Sequence, residues 1–213
     1  MKKQYHGCTL YISVQCVCLC FKFFISMKEF AEKLLESKTV EFYPHRTCSS
    51  LSEGAISCYL ERAYGDAEVS YKIISALENL VQKMCDEYGT HISPVIVSSS
   101  ARACGWGFGV AYEHLRLPFA YALKTKDGFR FEGACVNGYS RVIVVVDFVC
   151  NGYTVLNVVD AVRATGAIVV GVVAIVCSGT RTMHEAFDAA HVLFKSATDF
   201  KELQEIAKAN DAE

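Results

Sequence analysis

The chain has 213 residues, 52% of them hydrophobic, and a formal net charge of -2. That length suits one α/β domain with a sizeable core, and the apolar share suits a parallel sheet covered on both faces. The near-neutral charge, with no lysine- or arginine-rich run, argues against a nucleic-acid partner. The 11 cysteines are odd in number and form no Cys-x-x-Cys pair. They therefore imply neither a zinc site nor a disulfide framework, and the expected metal ligands are none. Buried thiols of a reducing compartment fit best, which places the protein in the cytoplasm.

Met1 to Ser26 breaks from the rest in composition. Lys2 and Lys3 precede an apolar run from Cys8 to Phe21. The run is short for a spanning helix, which needs ~20 apolar residues, and it carries Gln15. Two readings stay open: an extension outside the fold, or a membrane anchor. The domain is expected over residues 27–213.

Met27 to Ser37 reads as a helix with Phe30, Leu34 and Leu35 on one face. Phe42 to Ser57 is polar, and Cys58 to Ala63 is a candidate strand. Ile73, Ile74, Leu77, Leu80, Val81 and Met84 recur at helical spacing and predict a helix over Val69 to Tyr88. Pro94 to Val97 is the next strand, Ser98 to Gly107 a loop, and Gly109 to Arg116 a helix. A strand from Phe119 through Leu123 leads to Lys124-Thr125-Lys126-Asp127-Gly128.

Val142 to Val146 is five branched apolar residues in a row, as in a strand buried on both faces. It ends on Asp147, and Gly152 follows within one loop. A helix opens at Thr154 with Val155, Val158, Val159 and Val162 on one face and stops at Gly166. Ala167 to Val176 is another strand. This strand–loop–helix–strand unit makes the two strands parallel, with a right-handed crossover. An acid at the carboxyl end of a central strand, before a helix N-terminus, can hold sugar hydroxyls and phosphate. The bland alternative is an Asp that merely ends a strand. The tail adds a helix, a short strand at Val192 to Phe194 and a terminal helix from Asp199. His184 and His191 lack a ligand pattern.

The segment VVVDFVCNGYT resembles the phosphoribosyl pyrophosphate (PRPP) loop of type I phosphoribosyltransferases. Asp147 stands at that pattern's second acid, Gly152 at the loop glycine and Thr154 near its end. Val146 replaces the first acid and Cys150 the first loop threonine. The piece SSLSEGAISCYLERA, Ser49 to Ala63, resembles the orotate phosphoribosyltransferase segment that folds over the base, with Ser52 where the family often has a lysine. Leu117-Pro118-Phe119 matches the family's junction. Lys124 to Gly128 resembles its catalytic loop, with Leu123 in place of an arginine, no histidine and several residues fewer.

The resemblance covers nearly everything from Met27 onward. It implies an α/β fold, a parallel sheet flanked by helices with a small hood from the region before Val69 and the C-terminal tail. It implies transfer of phosphoribosyl from PRPP to orotate, giving orotidine 5′-monophosphate and pyrophosphate, with Mg²⁺ and a homodimer. Asp147 would then contact the ribose hydroxyls. Cys150, Asn151, Gly152, Tyr153 and Thr154 would cradle the 5′-phosphate. Ser99, Ser100 and Arg102 would lie against the pyrophosphate, and Lys124 and Lys126 would face it. The departures at Ser52, Leu123, Val146, Cys150 and the short loop leave two alternatives: a nucleotide-binding or regulatory protein with weakened catalysis, or an enzyme for another base.

Overall fold

Residues 27–43, 55–89, 93–113 and 115–210 are described by the computed structural model. In chain order they form α1 (Met27–Glu36), β1 (Val40–Tyr43), β2 (Ala55–Cys58), α2 (Ala67–Glu87), β3 (Val95–Ser98), α3 (Cys104–Tyr112), β4 (Phe119–Thr125) and β5 (Gly128–Gly133). Then follow β6 (Arg141–Val149), α4 (Tyr153–Ala164), β7 (Ile168–Cys177), α5 (Arg181–Ala189), β8 (Phe194–Asp199) and α6 (Phe200–Asn210). The Met1 to Ser26 segment and Ser52 lie outside the described residues.

The main sheet runs β5-β4-β3-β6-β7-β8, and every pairing is parallel except the β4–β5 hairpin. β6 is bonded on both sides, Val145 opposite Ser98 on β3 and Val173 on β7. All five residues from Val142 to Val146 are at most 2% exposed. Ile143 and Val145 join a core with α1, α2, α3 and α6, while Val142, Val144 and Val146 join one with α4 and α5. Each such valine contributes about 1.5–3 kcal/mol of burial, so this strand fixes the sheet and both helix layers at once.

The hood begins as the antiparallel ribbon β1–β2, with Val40 opposite Cys58. α1 and α6 pack together beside it. The expected parallel sheet, flanking helices and hood are all present, and the solved structures described below share that fold.

Several boundaries differ from the sequence reading. The strand expected over Cys58 to Ala63 is instead the end of β2 followed by a 3-10 turn, Leu60–Gly65. Asp66 then stops the turn and caps α2, its Oδ1 accepting from the amides of Glu68 (3.0 Å) and Val69 (3.1 Å). The loop after β3 is shorter than expected, because α3 starts at Cys104 and ends at Tyr112. Glycines at 105 and 107 hid the start of this helix from propensity; buried Trp106 and Val110 hold it down. β6 does not end on Asp147 but continues to Val149, since Phe148 and Val149 still pair with Val176 and Cys177. β8 runs from Phe194 to Asp199, later than expected, because polar Lys195 and Ser196 can occupy a strand at the sheet edge.

Candidate active site

Asp147 sits near the carboxyl end of β6, where open α/β sheets bind ligands. Its side chain is 15% exposed, and its Oδ2 lies 3.8 Å from Arg102 Nε, whose side chain is 70% exposed. Burial pushes the Asp147 carboxyl above its usual range; backbone amides and the Arg102 charge pull it part of the way back, while Glu61 pushes it up. A cleft of about 260 Å³ opens here, lined by Ser99, Ser100, Arg102, Asp147, Cys150, Asn151, Gly152 and Thr154. Thus loops following two adjacent parallel strands, β3 and β6, build the two walls.

The β6 wall is shaped by Gly152, whose φ is +83°. A Cβ there would stand 3.2 Å from the Phe187 ring, so both conformation and space call for glycine. Asn151 Oδ1 accepts from the Tyr153 amide at 3.3 Å. Gly152 gives α4 no side-chain cap. The first-turn amides and the helix dipole therefore favour an anion. Behind the loop, the Ser178 hydroxyl donates to the Cys150 carbonyl and the Ser178 amide to the Val149 carbonyl at 2.8 Å. These bonds hold the loop from the far side.

The β3 wall is tied to β6 by the Ser99 amide, which donates to the Val145 carbonyl at 3.1 Å. Ser100 Oγ accepts from the Ala103 amide at 3.1 Å. Tyr64, from the 3-10 turn, donates its hydroxyl to the Arg102 carbonyl at 2.7 Å. Its ring stacks on Trp106 with centroids 4.2 Å apart. Sequence reasoning missed Tyr64, since a lone tyrosine in a turn carries no periodic or motif signal.

Cys58 lies in the segment that resembles the family's base-covering piece and carried no role of its own in the sequence reading. Burial, then the charges of Asp147 and Glu61, push its thiol up to about 12. It stays protonated at neutral pH and is not a nucleophile.

Lys124 and Lys126 are exposed and stand apart from this cleft. Lys124 pairs with Phe129 across the hairpin, and Lys126 with Asp127 makes its turn. Both line a wider cleft of about 1090 Å³ between the hairpin and α4, which meets the first at Ser99, Ser100 and Thr154. Tyr153 is exposed and does not line the smaller cleft. Where a longer catalytic loop was compared, a tight hairpin stands.

Orotate phosphoribosyltransferase of Staphylococcus saprophyticus is 31% identical over 190 residues, spanning 86% of this chain and 90% of that protein. The chain belongs to the orotate phosphoribosyltransferase family. The Lactococcus lactis orotate phosphoribosyltransferase is 32% identical over 188 residues, 85% of this chain and 86% of that protein. No family model matches the chain. Orotate phosphoribosyltransferase from Aeropyrum pernix superposes with a TM-score of 0.67 at 20% identity, covering 83% of this chain and 97% of that one, so the fold is shared. Asp147 and Gly152, which the resemblance set against the family's loop motif, both line the smaller cleft, with Val146 beside them.

Proposed function

We propose that this protein transfers phosphoribosyl from PRPP to orotate, giving orotidine 5′-monophosphate and pyrophosphate. The observation that carries the reading is the crevice between the β3 and β6 loops, where a largely buried carboxylate, the N-terminus of α4 and two adjacent serines line one space. In it the amides from Cys150 to Thr154 hold the 5′-phosphate, and Asp147 accepts from the ribose hydroxyls. Ser99, Ser100 and Arg102 hold the pyrophosphate, and Lys124 and Lys126 draw it away. The C1–oxygen bond to pyrophosphate breaks and the bond from C1 to the base nitrogen forms. Positive charge gathers on the sugar between them. Catalysis is then positioning and charge stabilisation.

Mg²⁺ is characteristically held by one or two carboxylates plus substrate phosphates. Asp147 offers one carboxylate and the two serines offer further hard oxygens. Among the described residues no three His, Cys, Asp or Glu cluster. This donor set fits an ion carried in on the pyrophosphate, where it would neutralise phosphate charge.

A homodimer belongs to the same reading. On α3, Phe108 (51% exposed) and Tyr112 (71% exposed) stack at 5.4 Å and present an aromatic surface beside the hairpin. No helix among the described residues is long and apolar enough to cross a membrane. The location proposed is cytoplasmic.

The test is orotate consumption with PRPP and Mg²⁺, alongside calorimetry with PRPP. Turnover supports the enzyme. PRPP binding without turnover favours a second reading, a nucleotide-binding or regulatory protein. The two-residue turn at Lys126-Asp127 supports that reading, because a hairpin so short covers little of the crevice. Absence of both binding and turnover refutes both readings.

A further inference from the structure

We propose that Asn151 is a site of spontaneous deamidation, and that the acid it becomes competes with a ligand phosphate for the N-terminus of α4. The chemistry stands on the chain's own geometry, while its consequence rests on the crevice being a PRPP site. Asparagine is a thermolabile residue, and glycine after it puts no Cβ in the path of its own nitrogen. The chain has two such pairs, Asn137-Gly138 and Asn151-Gly152.

The two are folded alike and held differently. Asn151 Oδ1 accepts from the Tyr153 amide at 3.3 Å. That bond curls the side chain back over the Gly152 peptide, whose nitrogen is the attacking group. It also leaves an N–H in place for the oxyanion that the attack creates. Asn151 is exposed and lines the crevice, so water enters and ammonia leaves. Asn137 Oδ1 accepts from the Tyr139 amide at 2.9 Å, but further bonds fix its turn. Its Nδ2 donates to Cys135 Sγ at 3.1 Å and its amide to Ser140 Oγ at 3.1 Å. Its carbonyl accepts from the Ser140 amide at 2.8 Å. The nitrogen that must leave and the main chain that must rotate are both tied, so Asn137 is the slower pair.

In the reaction the Gly152 nitrogen bonds to Asn151 Cγ and the Cγ–Nδ2 bond breaks. Nδ2 leaves as ammonia with the proton of the Gly152 amide. Water then opens the cyclic imide, at Cγ to give aspartate or at the main-chain carbonyl to give isoaspartate. Either product sets a carboxylate beside the first turn of α4, where Gly152 supplies no side-chain cap. A negative charge there suits the helix dipole and repels an incoming phosphate. Isoaspartate also adds a methylene to the main chain just before Gly152, whose φ of +83° shapes the loop.

The experiment ages the full chain at mildly alkaline pH, with and without ribose 5-phosphate, and follows both pairs by mass spectrometry of peptides. Calorimetry of PRPP with Mg²⁺ is run on fresh and aged protein and on Asn151→Asp and Asn151→Ser. Asn151 should convert faster than Asn137. Ribose 5-phosphate should slow Asn151 alone, because its phosphate takes up the Gly152 amide. Affinity for PRPP should fall in step with conversion, and Asn151→Ser should keep through ageing the affinity it starts with. Asn151→Asp should weaken PRPP by about tenfold or more, from like charge at short range, with Tm equal or higher. Conversion at Asn151 no faster than at Asn137, or Asn151→Asp binding PRPP as well as the unmodified chain, overturns the proposal and leaves the enzyme reading standing. A lowered Tm in Asn151→Asp overturns it too, since a disturbed loop would then explain the lost affinity. If the fresh unmodified chain does not bind PRPP, the enzyme reading falls and the competition falls with it, whatever the rate at Asn151.

Discussion

Replacing Asp147 with asparagine should weaken ligand binding and stabilise the protein at once. On the proposed reading the carboxylate would accept ribose hydroxyls as a charged group, and each such bond is worth ~1.5–3 kcal/mol. Asparagine keeps one oxygen, now neutral, and turns the other position into a donor. Losing one charged bond weakens PRPP by about ten- to a hundredfold. Stability moves the other way. Burial holds the native carboxyl above its ordinary range, so the native state takes up this proton more readily than the unfolded chain. Stability therefore falls as pH rises from the ordinary aspartate range through the raised native value. Near neutral pH the charged form is a net cost that Arg102 offsets only in part, and Asp147→Asn should raise Tm. Affinity for PRPP in the unmodified protein should likewise fall as acid protonates Asp147, at a higher pH than for an ordinary aspartate. Calorimetry with PRPP and Mg²⁺, paired with thermal melts, reads both effects. Unchanged affinity together with a lowered Tm would refute the reasoning, since Asp147 would then be a structural residue.

Gly152→Ala forces a left-handed residue against the Phe187 ring, where its Cβ would stand 3.2 Å away. The backbone alone costs ~1–2 kcal/mol; melts should show a lower Tm, and phosphate binding should weaken with the loop. Val146→Asp returns an acid to the lip of the crevice and should strengthen Mg²⁺-dependent PRPP binding in calorimetry. Val146 is only 2% exposed, so the same change should lower the urea midpoint. A chain started at Met27 keeps α1, with Phe30, Ala31 and Leu34 in the core, and should melt at the same temperature as the full chain. A large loss of folded protein would show instead that residues 1–26 pack on the domain.

What the sequence made legible follows from how each element is stabilised. β6 and α4 declare themselves because burial on both faces, or on one helical face, writes a pattern into five or more consecutive residues. α3 showed only its end, because glycines at 105 and 107 oppose helix formation at its start, which the burial of Trp106 secures. β8 is polar and rests on its pairing with β7. In the site, Asp147, Gly152 and the serines were readable because their motif is local in sequence. Tyr64 reaches the site across the fold. Its contact is a distance, the 2.7 Å from its hydroxyl to the Arg102 carbonyl, that no spacing encodes.

The departures from the family pattern differ in weight for the same physical reason. Cys150 replaces a threonine in a loop that would hold phosphate through backbone amides and a helix dipole, so the cradle survives the change. Its shape depends on Gly152 and on the Ser178 bond behind it, and both are present. Val146 removes a charge that no backbone group can replace, leaving Asp147 as the acid of this wall. The hairpin departure acts on water. Closing an active site strengthens every charge interaction inside it, and a turn of Lys126 and Asp127 cannot extend over the crevice as a longer loop would. Arg102 would answer part of this loss on the proposed reading, since it already lines the smaller cleft and needs no closure to arrive. Binding of PRPP should therefore survive these replacements better than the rate of transfer. Removing one preorganised donor typically costs ~2.7–4 kcal/mol of barrier, whereas the amide cradle and Arg102 act on the ground state as well. Measured side by side, the affinity for PRPP should stand closer to that of the Staphylococcus saprophyticus relative than kcat does. A protein with full kcat and weak PRPP binding would place the site's strength in the hairpin lysines instead.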